Sequence, residues 1–449
     1  MSSIVSANRL TRCRGDCALS TPQGHDIVII GGGPAGLSAA RATAGLGLDT
    51  LLLECLSQVG ELAHPCGGAL APHPGYVSGR RTAEGLSFDE LGLTVPAAVI
   101  VGAPTTQRYV SPGGYEMHIV FPQRDDFPIA VVDKRALLGL LAAQARSSGA
   151  ELRYAQPVVG LLMDGERVRG VQTREGPICA RVVISAEGIG RRFVEQAGLY
   201  AGTAAAWAHA VLAFQALQAP AVGLEHVGQI STLGQRYTSI PHAMGTVDMP
   251  AAARADVYFS VFGTGAKLDT VRRLADSLEE YKQNDPRVCE LLVGSNVVRS
   301  CGCHIMLRSA PRRAVSDGFI GAGDSVTAGG QLGIVPAMYL GHRAAEVAAA
   351  AIHNGDVSAA KLTPYDALLR GGFLRGVETE GKIMLGLATM TDAEIDRVCQ
   401  TFGHLDLAPF FFGQRWPILR ESLRWMWKAW PLILRDWKLI GRVMARGSD

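Results

Sequence analysis

The chain has no excess of either charge: 43 lysines and arginines stand against 41 aspartates and glutamates, a formal net charge of +2. That balance gives no field for attracting nucleic acid. It has no charge-free apolar run of 18 residues, so a spanning helix is not expected. Its nine cysteines (13, 17, 55, 66, 179, 289, 301, 303 and 399) are odd in number and dispersed. They do not suggest a disulfide framework, and a reducing compartment fits better. Internal repeats and low-complexity segments are missing. Cys301-Gly302-Cys303 lacks a second cysteine pair at iron–sulfur spacing, and no metal is expected. Residues 1–24 carry Arg9, Arg12 and Arg14 but no apolar stretch of signal-peptide kind, and read as a mobile tail holding Cys13 and Cys17.

What is present is organised around His25-Asp26-Ile27-Val28-Ile29-Ile30-Gly31-Gly32-Gly33-Pro34-Ala35-Gly36. Ile27 to Ile30 is a continuous apolar, β-branched run, as a buried parallel strand requires. Gly31, Gly33 and Gly36 make G-x-G-x-x-G directly after it. Gly31 allows the tight turn, Gly33 lets a pyrophosphate approach the backbone, and Gly36 lets helix and strand pack closely. The helix opening at Pro34 points free N–H groups and its positive dipole end at the phosphates. Thr50-Leu51-Leu52-Leu53 is a second strand, and Glu54 ends it with 17 residues between it and Gly36, where a carboxylate can accept from a ribose diol. Strand, glycines, helix, strand and acid in register predict dinucleotide binding.

Further along, Pro65-Cys66-Gly67-Gly68 follows Gly60-Glu61-Leu62-Ala63-His64, and its two glycines make a loop that can lie against a flat ligand. Residues 76–130 alternate short apolar runs with Pro/Gly turns and predict strands. Residues 133–147 predict a helix, apolar at Leu137, Leu138, Leu140 and Leu141. Strands are predicted at 151–154, 158–163, 167–172 and 181–185, with a turn at Asp164-Gly165. The last of them runs into Ala186-Glu187-Gly188-Ile189-Gly190, again strand, glycine loop, helix. Residues 205–262 read as antiparallel strands, and 267–284 as an amphipathic helix with Leu268, Val271, Leu274 and Leu278 on one face. Phe319-Ile320-Gly321-Ala322-Gly323-Asp324-Ser325 is a third strand–glycine segment. Gly329-Gly330-Gln331-Leu332-Gly333 and an Ala-rich helix to about Ile352 follow it. Thr391-Asp392-Ala393-Glu394 is a capping-box pattern.

The order of these motifs resembles a known group. It runs from G-x-G-x-x-G with Glu54, through Lys134-Arg135-Ala136-Leu137 and Ala186-Glu187-Gly188, to Gly321-Ala322-Gly323-Asp324. The group is that of flavoproteins with the para-hydroxybenzoate hydroxylase type of fold. Within it, Pro65-Cys66-Gly67-Gly68 is similar to the geranylgeranyl reductases, which reduce isolated double bonds of isoprenoid chains on chlorophyll precursors or archaeal-type lipids. The resemblance covers roughly residues 25–400. It implies FAD as cofactor and assigns positions to it. Gly31, Gly33, Pro34, Ala35 and Gly36 would hold the pyrophosphate and Glu54 the adenosine ribose. Val159 would meet the adenine through its backbone. Arg135 would sit beside the phosphates or flavin. Ala186 and Gly188 belong to the second motif, which departs from the group by carrying Glu187 where an aspartate is usual. Gly323 and Asp324 would bind the ribityl or pyrophosphate part. Cys66, Gly67 and Gly68 would lie near the flavin. Gly329, Gly330, Leu332 and Gly333 would open the helix whose N-terminus faces the isoalloxazine ring, stabilising negative charge on the reduced flavin.

The expected architecture is α/β. A Rossmann-type FAD-binding domain is built from discontinuous segments (25–75, 131–200 and 296–355). An antiparallel-sheet substrate domain takes 76–130 and 201–295, and a helical C-terminal region takes 356–449. Reducing an unactivated double bond needs a hydride from flavin N5 and a proton donor within hydrogen-bond reach of the substrate. Cys66 is the candidate donor; its other reading is a small buried packing residue. His64 and His304 are further acid candidates. There is no second G-x-G-x-x-G for a separate nicotinamide domain, so the electron donor stays open among NAD(P)H visiting transiently, ferredoxin and quinol. Two other functions share the fold: a monooxygenase of an apolar substrate, and a flavoprotein passing electrons to membrane quinone.

Five of the six tryptophans lie in the last 34 residues: Trp416, Trp425, Trp427, Trp430 and Trp437. At 100° per residue, Arg424, Lys428, Arg435, Lys438, Arg442 and Arg446 form one stripe, with Trp427, Trp430, Leu434, Trp437 and Met444 opposite. Pro431 divides or kinks the helix. Such a face suits an interfacial membrane helix. The expected partners are a polyprenyl-bearing substrate, an electron-donor protein and a membrane surface. The expected location is the cytoplasm, peripherally on the inner face of the cell membrane.

Overall fold

A computed structural model of the protein describes residues 24–61, 65–121, 124–203, 208–218, 228–233, 243–251, 254–263, 270–327, 333–374 and 390–403, together with Leu423, Trp427, Trp430 and Leu434. The first unit is β1 (His25–Ile30), α1 (Pro34–Gly45) and β2 (Thr50–Leu53). A run of short strands follows: β3 (Ala69–Leu70), β4 (Arg80–Arg81), β5 (Gly85–Phe88), β6 (Leu93–Pro96), β7 (Ile100–Gly102), β8 (Thr106–Val110), β9 (Glu116–Val120) and β10 (Ala130–Val132). Helix α2 (Lys134–Ser147) then leads to β11 (Glu151–Arg153), β12 (Val158–Asp164), β13 (Arg167–Thr173), β14 (Gly176–Ser185) and α3 (Arg192–Gln196). The long strands β15 (Ala208–Gln218), β16 (Gly228–Leu233), β17 (Ala243–Ala251) and β18 (Arg254–Gly263) precede α4 (Thr270–Asn284) and α5 (Pro286–Leu292). The chain continues with β19 (Asn296–Leu307), β20 (Val315–Ser316), β21 (Phe319–Gly321), α6 (Ile334–His353), α7 (Ala359–Leu368) and α8 (Asp392–Phe402).

The nucleotide-type segments meet in one sheet of order β11-β2-β1-β14-β13-β12, with β21 on β14 and β20 on β21. β11, β2, β1, β14 and β21 are parallel. That is why Ile27–Ile30 and Leu51–Leu53 read as unbroken apolar runs: both faces are covered, and all seven residues are buried. β12 and β13 extend the sheet as an antiparallel hairpin on β14. Helices α1, α2 and α6 cover the sheet in one large core.

The second sheet has seven strands in the order β19-β15-β18-β17-β16-β8-β9. Val211, Ala213, Leu217, Val257 and Phe259 on one of its faces pack against Leu274, Leu278 and Tyr281 of α4 in a separate core. One expected change of domain, at residue 296, falls at the start of β19. That strand pairs with β15 along its length, from Asn296 opposite Gln218 to Leu307 opposite Ala208. The second sheet therefore reaches to Leu307, and residues 296–307 are not part of the nucleotide sheet. No local signal marks this, because β19 reads as a strand whichever sheet receives it.

Helix ends follow their sequence signals. The Asp133 carboxylate accepts from the amides of Arg135 (2.8 Å) and Ala136 (3.2 Å) to start α2. Thr391 and Glu394 make the expected reciprocal capping box of α8. Among the described residues no helix is long and apolar enough to cross a membrane.

Candidate functional site

The parallel strands end together, and their ends are knitted by backbone bonds: Gly31 N to Leu53 O (2.8 Å), Ala186 N to Ile30 O (2.8 Å) and Ala322 N to Ser185 O (2.8 Å). The three glycine segments at 31–36, 186–190 and 321–327 thus converge at the carboxyl edge of the sheet, the position where open α/β sheets take their ligands. Glu54 joins them from β2. Its Oε2 accepts from Gly32 N at 2.5 Å, and its Oε1 from Leu56 N at 2.8 Å and the Cys55 thiol at 3.1 Å. The carboxylate is fixed beside the first glycine turn while keeping acceptor capacity for a diol.

The glycines divide by what a side chain would meet. At Gly31 (φ 101°) a Cβ would stand 2.5 Å from the Ala186 carbonyl oxygen, and at Gly36 it would stand 1.9 Å from the Gly31 oxygen. Both are demanded by the protein itself. At Gly33 a Cβ would meet nothing within 4 Å, and its φ of −77° is open to any residue. Folding does not require a glycine there. The bare backbone, with Pro34 opening α1 behind it, leaves a free approach to the helix N-terminus. Gly188 also has open space where its side chain would be. A cradle formed by bare backbone, a helix N-terminus and a fixed carboxylate fits a dinucleotide such as FAD.

Gly323 (φ 67°) and Asp324 form a 3-10 turn against Ala35, and Gly333 (φ 88°) is the N-cap of α6, so both lie at the same sheet edge. Arg135 is exposed at the start of α2, with its backbone against Gly60 in the loop beyond Glu54. Val159 sits where the pairing of β12 with β13 shifts register, and its carbonyl accepts from the Arg192 guanidinium. Residues 1–23, His64, Gly329, Gly330 and Leu332 lie outside the described residues.

Cys66 is a free, half-buried thiol packed against the core of the nucleotide unit. Gly68 (φ 74°) is glycine for a protein reason: a Cβ there would lie 2.4 Å from the Val132 carbonyl oxygen, and the Gly68 carbonyl accepts from Val132 N at 2.9 Å. The loop is thereby tied to β10. Glu187, the departure from the usual aspartate, caps α3. Its Oε1 accepts from Phe193 N (2.8 Å), Val194 N (3.0 Å) and Ser185 Oγ (3.1 Å). Burial pushes its carboxyl above the usual range, and these bonds oppose the shift. His304 pairs with Val211 on the face of the second sheet that α4 covers. Among the described residues no group of three or more His, Cys, Asp or Glu could hold a metal ion.

Two features of the site escaped the sequence reading. Gly341 of α6 meets α1 at Ala35, and Arg191 lies buried under Asp324 and Thr327. A glycine inside an Ala-rich helix is a signal that could have revealed the first. Arg191 reads as an ordinary helix-start arginine.

Residues 26–253 match the family of FAD dependent oxidoreductases. The chain belongs to that family and is an FAD-dependent oxidoreductase. It is 26% identical over 393 residues to digeranylgeranylglycerophospholipid reductase 1 of Methanothermobacter thermautotrophicus, a match covering 84% of this chain and 90% of that one. It is 27% identical over 403 residues to digeranylgeranylglycerophospholipid reductase of Methanoculleus marisnigri, covering 86% and 92%. Its fold is that of a geranylgeranyl bacteriochlorophyll reductase-like protein from Thermoplasma acidophilum, with a TM-score of 0.73 at 19% identity over 93% of this chain and 99% of the other. It is also similar in fold to the flavin-dependent brominase Bmp2, with a TM-score of 0.60 at 16% identity over 89% and 98%.

Proposed function

We propose that the protein saturates carbon–carbon double bonds of a polyprenyl chain carried on a lipid or pigment precursor. The observation that carries this reading is the length of its likeness to enzymes named as digeranylgeranylglycerophospholipid reductases, 84–92% of either chain. The family match over residues 26–253 takes in the nucleotide cradle and the Pro65-Cys66-Gly67-Gly68 stretch together. Bound FAD would supply hydride through N5. The protein's part is to hold the cofactor through Gly31–Gly36, Glu54 and Asp324, to keep water from the reacting carbon, and to bring a proton to the other carbon of the bond. Cys66 is the assigned proton donor, since its thiol stands half-buried at the edge of the nucleotide core.

The reading includes a membrane surface, where a lipid-borne chain would be met. Leu423, Trp427, Trp430 and Leu434 are helical, spaced four, three and four residues apart, and exposed by 54%, 85%, 58% and 67%. That spacing puts them on one helix face. In the sequence, at 100° per residue, the basic residues of the same segment fall on a separate stripe, and such a face suits the interface of an anionic bilayer. The electron donor is a nicotinamide cofactor, a ferredoxin or a quinol.

The test is anaerobic. The protein is purified with detergent, its FAD confirmed by absorbance and reduced with dithionite, and a geranylgeranyl-bearing lipid is added. Flavin reoxidation with a product heavier by two hydrogens per bond is expected. Reoxidation only on adding oxygen, with a hydroxylated product, would replace this reading by a monooxygenase. Reoxidation only on adding quinone would replace it by an electron-transfer role.

A further inference from the structure

Arg191 combines three local costs. It is 1% exposed, so its charge is buried. Its backbone is left-handed (φ 54°), and only one other non-glycine residue with positive φ, Ala155, occurs among the described residues. It also lies near a second buried cation: Arg308, 9% exposed, stacks 3.7 Å from the centroid of Tyr200, and Arg191 is 6.0 Å from the same ring. An apolar side chain would avoid the first and third costs. Strain and buried charge gathered at one position point to a function that uses the charge.

The contacts show where that charge acts. Nη2 of Arg191 donates to the Thr327 carbonyl at 3.0 Å, and Nη1 to the Met306 carbonyl at 3.4 Å. Its Nε has no partner among the described residues. Met306 stands one residue before the end of β19 in the second sheet, whereas Thr327 ends the turn that begins at Gly323 and holds Asp324. One planar fork therefore grips the last strand of the second sheet and the loop at the edge of the first. The carboxylates of Asp324 and Glu195 attract the guanidinium, and Glu195 is itself held by Arg308 at 2.7 Å. Tyr200 completes the cluster, donating its hydroxyl to the Ser325 carbonyl at 3.2 Å.

We propose that Arg191 is a positioning residue for the flavin. Its fork fixes Thr327, at the end of the turn that holds Asp324, against the second sheet, and its buried positive charge favours the negative charge a flavin gains on reduction. The proposal rests on the placement of FAD at this sheet edge. In a low-dielectric interior such a charge is little screened and is felt beyond the first layer of contacts. The fork and the charge are separable. Lysine keeps the charge without the two-pronged grip, and methionine keeps the length with neither.

The experiment compares full-length wild type with Arg191→Lys and Arg191→Met. FAD affinity is read by fluorescence titration of the apoprotein, and the midpoint potential by dye equilibration of the loaded protein. Lysine is expected to weaken FAD binding about tenfold while holding the potential close to wild type. Methionine is expected to weaken binding at least as much and to move the potential to more negative values. A folded Met variant with wild-type affinity and potential overturns the proposal, and so does a Lys variant whose potential moves as far as that of Met. If the Met variant does not fold, the Lys variant decides alone: wild-type FAD affinity in it overturns the proposal. Neither readout uses a polyprenyl substrate, so a wrong substrate assignment leaves the test intact. A wild-type protein that binds no FAD would remove the underlying placement before any variant is compared.

Discussion

Gly341 of α6 lies against Ala35 of α1 so closely that a Cβ on it would stand 1.9 Å from the Ala35 carbonyl oxygen. The two helices cross backbone to backbone just behind the G-x-G-x-x-G turn. The contact holds α1 in the orientation that aims its N-terminus at the cradle. Gly341→Ala forces the helices apart and is expected to cost about 1–3 kcal/mol, as overpacking does. It also weakens FAD retention, because the shift is transmitted to Gly33. Thermal melts with and without FAD measure both, and unchanged melts would show that the crossing relaxes at no cost.

Gly33 and Gly36 should separate folding from binding. Gly36→Ala places a methyl 1.9 Å from the Gly31 oxygen and is expected to yield little folded protein. Gly33→Ala meets nothing in the chain. Its apoprotein should melt like wild type, within about 0.5 kcal/mol, while FAD affinity falls at least about tenfold, roughly 1.4 kcal/mol. Equal FAD affinity in Gly33→Ala would mean that the pyrophosphate does not approach there.

Cys66→Ala tests the proton donor. The thiol lies against the core without holding the glycine cradle, so FAD content should stay at the wild-type level. Single-turnover oxidation of the reduced enzyme by a geranylgeranyl lipid should fall by about 10²–10⁴-fold, the usual worth of a positioned acid. A wild-type rate would return Cys66 to the role of a packing residue.

His73 should make the fold sensitive to acid. Burial holds its imidazole below the ordinary 6.5, against a 3.2 Å bond to the Phe373 carbonyl, and its ring lies 4.5 Å from that of Phe373. The folded state thus favours the neutral ring. The stability tied to this is complete above the unfolded value and is lost as pH falls through the lowered folded value. Burial lowers His342 as well, so it adds to the same slope. The melting temperature should drop between about pH 7 and 5, and less steeply in His73→Phe. Parallel curves for the two proteins would remove His73 as a source.

The exposed stripe of Leu423, Trp427, Trp430 and Leu434 predicts binding to lipid vesicles. Trp427→Ala with Trp430→Ala should reduce co-sedimentation with anionic vesicles by about tenfold or more, and reduction in detergent should be unchanged. Equal sedimentation would leave the stripe without a membrane role.

The amino-acid sequence by itself determined the nucleotide unit. Ile27–Ile30, the glycines at 31, 33 and 36 and Glu54 lie in one contiguous strand–helix–strand segment and act largely on near neighbours, although Gly31 is also kept bare by the distant Ala186 carbonyl. The starts of α2 and α8 were legible for the same reason, since a cap acts within three residues. The tertiary structure decided what depends on distant partners. Glu187 is spent on α3 because the turn after β14 brings the Phe193 and Val194 amides to it. Gly68 is held against the Val132 carbonyl, a close approach that only the fold creates. β19 joins the second sheet because β15 offers it a full-length edge, which no local pattern can announce. Gly341 and Arg191 carry no signature of their own. Their meaning lies in Ala35, Thr327 and Met306, residues that only the packing of the two sheets and the crossing of the helices bring within reach.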